Sequence, residues 1–503
     1  MKKLIFTCFV SCIGLNLSAQ SFINEIDLGN EEEITDVIVL PATHEYVLNL
    51  AVGDSMDDFF PKYLHSSFLL LDSIGKVKKS NTLNDFYPIE LIKRSNSFLV
   101  YGYFSVNGMH EGMAIYALDY QLKVLDSMKI TSHFPVLTVQ IDVNSRGEII
   151  IPVTESDTLR GIFYSSILKL DSNFQIIDTL VYDTISYAAI AGMVNSRDES
   201  IVYQLNVDYR QMTKEFKDYV FLIDRAGDKI GKGSPIMPVY NSISDSLKIY
   251  DGIALRELPN QNVVLSGRVQ NPQTYVPQNP NSGDDYGIIV YDNYLRYIQH
   301  EVIGSVDTGD YPATRNIAYD DKYFYIAGVT QWTASDYYRD INNKVRINQF
   351  DFQGNLMNTW NYDVGNYVRI NSIKSTYDKG LVIVGSNYDQ YGNSGGLNGF
   401  IMKVDSLGNL VTGIANLKNK SLLDSKYYKV YPNPAKDKLN LLKINQFEPY
   451  DLELYDTFGR LVKAVKWSES HQQINVADLV SGMYVYRIID KEGRTGSGKI
   501  MVE

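Results

Sequence analysis

The sequence predicts an all-β protein: a seven-bladed β-propeller followed by a small immunoglobulin-like β-sandwich. Three observations predict it. An apolar run ending in an aspartate and a turn recurs at Asp72, Asp119, Asp171, Asp224, Asp292, Asp351 and Asp405, about 47 to 68 residues apart. Upstream of each aspartate lies a second apolar strand, often ending in a small residue, as in EYVLNLAV (45–52) and GLVIVGSN (380–387). From Tyr428 the repeat stops and shorter alternating segments replace it. A repeat of that period in a strand-rich chain points to stacked or radially arranged units.

Each unit reads as four antiparallel strands, A to D. Strand A precedes a short polar turn such as PATH, KRSN, PNQN, YDDK or TYDK, whose Asn, Asp, Gly and Pro residues suit tight hairpins. Strand B carries the upstream apolar marker, strand C runs into the aspartate, and strand D follows, as in KVLDSMKI from Lys123 or NLMNTWNY from Asn355. Repeated seven times, this describes propeller blades. SFINEIDLG (21–29) reads as a strand D with no A, B or C before it, while NLVTGIANL (409–417) stands at the far end of the repeats. Either segment could supply the outermost strand of the seventh blade, closing the ring and removing an exposed edge.

The repeated aspartate invites a calcium reading, since carboxylates are calcium ligands. A structural reading is preferred. Aspartate at the first position of a type I turn accepts backbone hydrogen bonds, and Gly75, Gly227, Gly354 and Gly408, three residues on, supply a left-handed residue.

The chain has 503 residues, 45% of them hydrophobic, with 47 basic against 59 acidic residues and a net charge of −12. There is no basic tract to neutralise phosphates, so nucleic acid and acidic membranes are not expected partners. No long apolar block follows the N-terminus, so no transmembrane span is expected. Met1 to Ala19 has Lys2 and Lys3, an apolar run through Leu17, then Ser18 and Ala19, the order of a secretory signal peptide cleaved after Ala19. Without Lys2 and Lys3 the balance is 45 basic against 59 acidic, or −14. Both cysteines, Cys8 and Cys12, fall inside this segment, so stability must come from core size rather than disulfides. Lipidation at Cys12 is a rival reading, disfavoured by the short apolar segment before it. The expected organisation is signal peptide 1–19, propeller 20–417, linker 418–427 and sandwich 428–503, in a monomer.

The last segment carries specific landmarks in order. Tyr431, Pro432, Asn433 and Pro434 open it; Tyr455, Asp456, Gly459 and Arg460 lie in LYDTFGRLV; Gly482 and Tyr484 lie in INVADLVSGMYVYRI; Lys499 begins the final strand. Over 428–503 the chain resembles the type A C-terminal sorting domain of the type IX secretion system of Bacteroidetes. The resemblance implies export to the periplasm, recognition by the type IX machinery, passage through the outer membrane and removal of the domain. It leaves open whether the product is anchored at the cell surface or released. Alternation in KLNLLKI, DLELYD and MYVYRII independently describes a small sandwich.

Chemistry is harder to find. Gly392 to Gly396 satisfies G-x-S-x-G, but a nucleophile elbow needs a strand before it and a helix after it, and here it sits in a polar loop. Gly493 to Lys499 nearly spells a P-loop, with Ile500 where Ser or Thr should hold magnesium. His44, His65, His110, His133, His300 and His471 have no paired metal spacing. No catalytic residue, metal site or cofactor is therefore assigned. Calcium is kept as a side reading at Asp54, Asp57 and Asp58, Asp284 and Asp285, and Asp307 and Asp310.

The B-to-C and D-to-A connections read as long and variable, and alternation places them on the face opposite the aspartate turns. Variable loops on a rigid scaffold are where binding residues usually reside. On that face the candidates are Tyr275, Asp284, Asp285 and Tyr286; Trp332, Asp336, Tyr337 and Tyr338; and Tyr388, Asp389 and Tyr391. Aromatic planes beside carboxylates can stack on sugars or form a protein hot spot. The expected function is a secreted or surface-displayed binding or adhesion protein recognising a glycan or a protein. The alternative is an extracellular hydrolase or lyase acting on polysaccharide or peptide, which would need carboxylates, or a carboxylate and a tyrosine, converging in a central pocket.

Overall fold

The computed structural model describes residues 21–503 apart from 29, 58–59, 107–108, 132–135, 138–139, 158–161, 183–187, 196–200, 208–218, 225–228, 234–235, 238–246, 271–283, 305–308, 333–342, 365–366, 389–396, 411–427, 445–448, 457–460, 468 and 491–494. Phe22–Leu410 form one compact unit, and the strands from Tyr428 onward belong to another.

The first unit is a β-propeller whose strands fall into antiparallel sets in chain order. The first set is Glu31–Leu40, Glu45–Asp57, Phe60–Leu71 and Val77–Asn84, and the second is Phe86–Lys93, Ser97–Val106, Met109–Asp119 and Val124–Thr131. The third uses Ile149–Asp157, Ile162–Leu170 and Ile176–Tyr182, with the short strands Val136–Leu137 and Asp142–Val143 on its inner side. Ala188–Asn195 opens the fourth, Leu247–Glu257 is the long inner strand of the fifth, Gly309–Tyr319 that of the sixth and Tyr367–Ser375 that of the last. The inner strands of the last two sets touch through a single parallel bridge, Arg315 to Ser372.

Burial grades from the axis outward. The third strand of the last set, Leu397–Val404, is buried at every position, because both of its faces meet neighbouring blades. Fourth strands are amphipathic at best: Val77–Asn84 and Leu356–Asp363 are mostly exposed. Apolar clusters fill the wedges between neighbours. Phe68 and Val47 pack with Phe98 and Leu118, Phe324 with Tyr286 and Ile288, and Ile383 with Ile347 and Val345.

The ring closes with the N-terminal strand. Phe22–Ile26 pairs antiparallel outside Leu397–Val404, Phe22 opposite Lys403 and Ile26 opposite Gly399. The Asn24 amide also donates to the carbonyls of Ile74 and Gly75 in the aspartate turn of the first blade, at 3.3 and 3.1 Å. Both ends of the chain's repeat region thus build the last blade, with Phe22–Ile26 outside Leu397–Val404; residues 411–417 lie outside the described residues.

The aspartate turns among the described residues are structural, as the residue pattern implied; the turn after Asp224, with Gly227, lies outside them. Asp72 Oδ1 accepts the N–H groups of Ile74 and Lys76, and Asp119, Asp171, Asp292, Asp351 and Asp405 repeat the arrangement. The left-handed residue is glycine at Gly75, Gly354 and Gly408, but Leu122, Phe174 and Leu295 take the same conformation elsewhere. Those three side chains are buried, so core packing offsets the backbone cost that glycine would avoid.

The connections opposite these turns are more regular than the sequence implied. The first blade's B-to-C segment continues its hairpin to Asp57 opposite Phe60, and the second blade's pairs Val106 with Met109. One residue, Asp85 at φ 56°, links the first two blades.

In the second unit, Tyr428–Tyr431, Lys438–Lys443 and His471–Asn475 form one sheet; Leu461–Lys466, Pro449–Tyr455, Gly482–Asp490 and Thr495–Val502 form the other. Leu439, Leu441, Leu452, Leu454, Trp467 and Ile488 bury between them. Asn433 pins the opening motif to the final strand: its Oδ1 accepts Met501 N–H at 2.8 Å and its Nδ2 donates to Lys499 O at 2.9 Å. The Tyr484 hydroxyl donates to Val480 O, and Tyr455 to Glu453. Gly459 and Arg460 lie outside the described residues. The glycine-rich near-match to a P-loop runs into the strand Thr495–Val502, with no helix behind it.

Candidate functional site

Inner strands converge on the propeller axis, and there the sequence places charges inside otherwise apolar strands: Asp36, Glu90, Arg256, Arg315 and Lys374. The fold brings all five together. Arg315 Nε lies 3.8 Å from Glu90 Oε1, Arg256 Nη2 lies 3.9 Å from the same oxygen, and Lys374 Nζ lies 3.3 Å from Asp36 Oδ1.

Asp36 is the most heavily held of them. Its Oδ1 accepts Val37 N–H at 2.9 Å and the Ser372 hydroxyl at 2.6 Å, and its Oδ2 accepts Leu91 N–H at 2.9 Å. Burial alone would raise its pKa, but Lys374, Arg315, Ser372 and the Leu91 amide together hold it below the ordinary carboxylate range. Among the described residues Glu90 accepts one hydrogen bond, from Ile141 N–H on Oε2 at 3.2 Å. For this carboxyl, burial outweighs the attraction of Arg315 and Arg256, and its pKa is raised. Further along the axis Glu33 meets Arg369 at 3.7 Å and the Asn371 amide at 2.9 Å.

Above these charges lies a cavity of about 450 Å³. Its walls come from the C-terminal ends of inner strands: Val37 to Val39, Glu90 to Lys93, Ile317 to Tyr319, and Lys374 to Tyr377. Those strand ends lead into the A-to-B turns, and strict alternation puts the aspartate turns on the same side. The face of the aspartate turns, opposite the one from which the binding candidates were drawn, therefore carries the axial cavity. Tyr319 and Tyr377 stand at its rim, 42% and 38% exposed, and His44 stacks on Tyr377 with ring centroids 3.7 Å apart. Arg256 and Lys374 reach the cavity with 24% and 23% of their side chains open.

The candidates taken from the opposite face fare unevenly. Tyr286 is not in a loop: it lies in the strand Asp284–Tyr291, fully buried, with its hydroxyl donating to Asn348 Oδ1 at 2.9 Å. Asp285 is buried in the same strand. Both sit where inner and outer strands pack, because the hairpin pairing Gln270 to Asp284 carries the ladder further than the polar sequence implied. Trp332 and Tyr388 end their strands, opposite Gly309 and Tyr367. Tyr275, Asp336, Tyr337, Tyr338, Asp389 and Tyr391 lie outside the described residues, as does the G-x-S-x-G match.

Of the acids considered for calcium, Asp310 is buried and held by Arg346 Nη1 at 2.8 Å. Among the described residues no group of three or more His, Cys, Asp or Glu side chains is arranged to hold a metal ion. No helix is long and apolar enough to cross a membrane among the described residues.

The axial charges had a legible signal that loop reasoning passes over. Each interrupts an apolar strand two to five residues before an A-to-B turn, a position that periodicity assigns to the core. A charge recurring there on several repeats marks the axis rather than the wedge between blades.

Comparison with known proteins agrees with this division of the chain. Residues 429–503 match the secretion system C-terminal sorting domain. That domain marks the protein for type IX export, to the cell surface or beyond it. No curated protein matches the sequence. Solved structures with a similar course of chain include polysaccharide lyase Uly1, 11% identical, with 74% of this chain and 90% of that one covered and a TM-score of 0.43. The β-propeller domain of the Trilobed protease from Pyrococcus furiosus is 10% identical, with 79% and 98% covered and a TM-score of 0.37. A protein of unknown function from Bacteroides caccae is 8% identical, with 67% and 95% covered and a TM-score of 0.36. These likenesses are remote and say nothing of function.

Proposed function

We propose that this type IX-exported protein is a binding protein, and that its propeller takes a glycan in the axial cavity. The observation that carries the reading is the cavity itself. Its volume of about 450 Å³ falls within the range of small-molecule sites, roughly 300–1,000 Å³. Rigid inner strands wall it, aromatic side chains rim it and charges floor it. Tyr319 and Tyr377 offer planes on which a sugar face can stack. Binding there needs no cofactor, and a chelator is expected to leave it unchanged.

A glycan array on the purified chain tests the reading, with Tyr319→Ala and Tyr377→Ala beside it. Both tyrosines are exposed at the rim, so the variants should fold and lose signal. Retained signal in both, with loss on Trp332→Ala or Tyr388→Ala, would move recognition to the opposite face.

One observation favours a second reading, a polysaccharide hydrolase or lyase. The Glu90 carboxyl reaches the cavity wall with a raised pKa, the condition of a general acid. Turnover of an array-positive glycan, abolished in Glu90→Gln, would establish it; binding without turnover leaves the protein a receptor.

A further inference from the structure

We infer that the floor of the cavity is an oxyanion seat between Arg256 and Lys374, so that the glycan it takes is an acidic one, bearing a carboxylate or a sulfate ester. The inference rests on the reading of the cavity as a glycan site and deepens it.

Charge at the lining leads to this class. Lys93, Arg256 and Lys374 face Glu90 and Asp142, three cations against two carboxylates, in a chain whose overall balance is −12. The two carboxylates are also occupied. Glu90 is held by Arg315 on one oxygen and by Ile141 N–H on the other, and Asp142 Oδ1 accepts Val143 N–H at 2.8 Å. Burial and the raised pKa of Glu90 weaken it further as a counter-ion.

The cations are under-used by comparison. Among the described residues, the polar contacts of Arg256 and Lys374 are one ion pair each, at 3.9 and 3.3 Å, the first of them beyond hydrogen-bond distance. A guanidinium carries five N–H donors and an ammonium three, so most of theirs are left to the cavity. The two groups also repel: Arg256 adds to the burial that lowers the Lys374 pKa. An anion between them would relieve both the repulsion and the unmet donors, and a planar carboxylate suits the fork of Arg256.

The walls favour a sugar as the carrier. Ile38, Ile92 and Ile317 line the sides and Tyr319 and Tyr377 the rim, a slot of apolar and aromatic surface above a point of charge. An acidic peptide would offer carboxylates but no ring face to stack.

Isothermal titration of the purified full chain tests the seat, using an oligogalacturonide, a sulfated oligosaccharide and a neutral oligosaccharide of equal length, with a poly-glutamate peptide beside them. Binding of an anionic saccharide, and not of the neutral one, is expected, with affinity falling as salt is raised. Which of the two anionic saccharides binds identifies the oxyanion. Arg256→Gln and Lys374→Gln should each weaken it about tenfold to a hundredfold, the usual cost of a charge-assisted hydrogen bond. Arg256→Lys should recover part of that loss, and circular dichroism spectra and melting temperatures of the floor variants that match the native chain guard against misfolding. Equal affinity for neutral and anionic saccharides would overturn the seat and leave the glycan site standing. Binding of the peptide alone, or of no saccharide, would overturn both.

Discussion

Lys374 Nζ lies 3.3 Å from Asp36 Oδ1, so an ion pair on the propeller axis ties the last blade to the first. Asp36 also receives Ser372 from the last blade and Leu91 N–H from the second. One carboxylate thus fastens three blades where the ring closes. Removing it leaves Lys374 without its ion pair and takes from Arg315 one of the two carboxylates, Glu90 being the other, that act on it. Asp36→Ala is expected to lower stability by about 3 kcal/mol or more in chemical denaturation. The pH dependence has a definite sign. The Asp36 pKa lies below its ordinary 3.8, so its contribution is complete above that value and is lost as pH falls through the folded-state pKa.

Glu32 should act in the opposite direction. It is buried, its Oε1 accepts Leu28 and Asn30 N–H, and its Oε2 has no hydrogen-bond partner among the described residues. Burial, only partly offset by those two amides, raises its pKa to about 7. The folded state therefore holds a proton that the unfolded chain gives up near 4.5. Stability is complete below 4.5 and declines as pH rises toward and past 7, by on the order of 2–3 kcal/mol. Melting temperatures between pH 5 and pH 8 should fall in the native chain and fall less in Glu32→Gln.

Two turn glycines separate backbone strain from packing. Gly147 has φ +81° and open space where a Cβ would stand; Gly408 has φ +75°, but its Cβ would lie 2.4 Å from the indole of Trp360. Gly147→Ala should cost about 1 kcal/mol, the left-handed penalty alone. Gly408→Ala should cost about 2–4 kcal/mol, because overpacking adds to it. Equal costs in urea denaturation would mean that the last blade's turn does not seat against its neighbour.

Export depends on the second unit. Asn433 holds the opening motif to the strand carrying Lys499 through two hydrogen bonds. Asn433→Ala should destabilise that domain by about 1–2 kcal/mol and reduce the protein recovered outside the cell. Deleting 429–503 should hold the propeller in the periplasm, read by fractionation and immunoblotting.

The architecture was legible because it is periodic. Asp72 and its counterparts repeat at a blade's spacing, and those whose turns lie among the described residues form the same one whether Gly75 or Leu122 follows. The sorting domain was legible because Tyr431 to Pro434 and the later landmarks are specific in kind and order. The site was not, because side-chain exposure is a tertiary property. Tyr286 sits in a polar stretch yet is buried by an extended hairpin, while Asp36 and Arg315 sit in apolar strands yet meet on the axis. Alternation identifies the two faces of a blade, but convergence at an axis adds a third environment that a single strand does not disclose.

The most direct test of the account is a crystal structure of the mature chain with the saccharide that binds best in solution. A sugar is expected in the axial cavity, its charged group between Arg256 and Lys374 and a ring face against Tyr319 or Tyr377. A saccharide bound on the opposite face, beside Trp332 or Tyr388, with the cavity holding solvent alone, would contradict it.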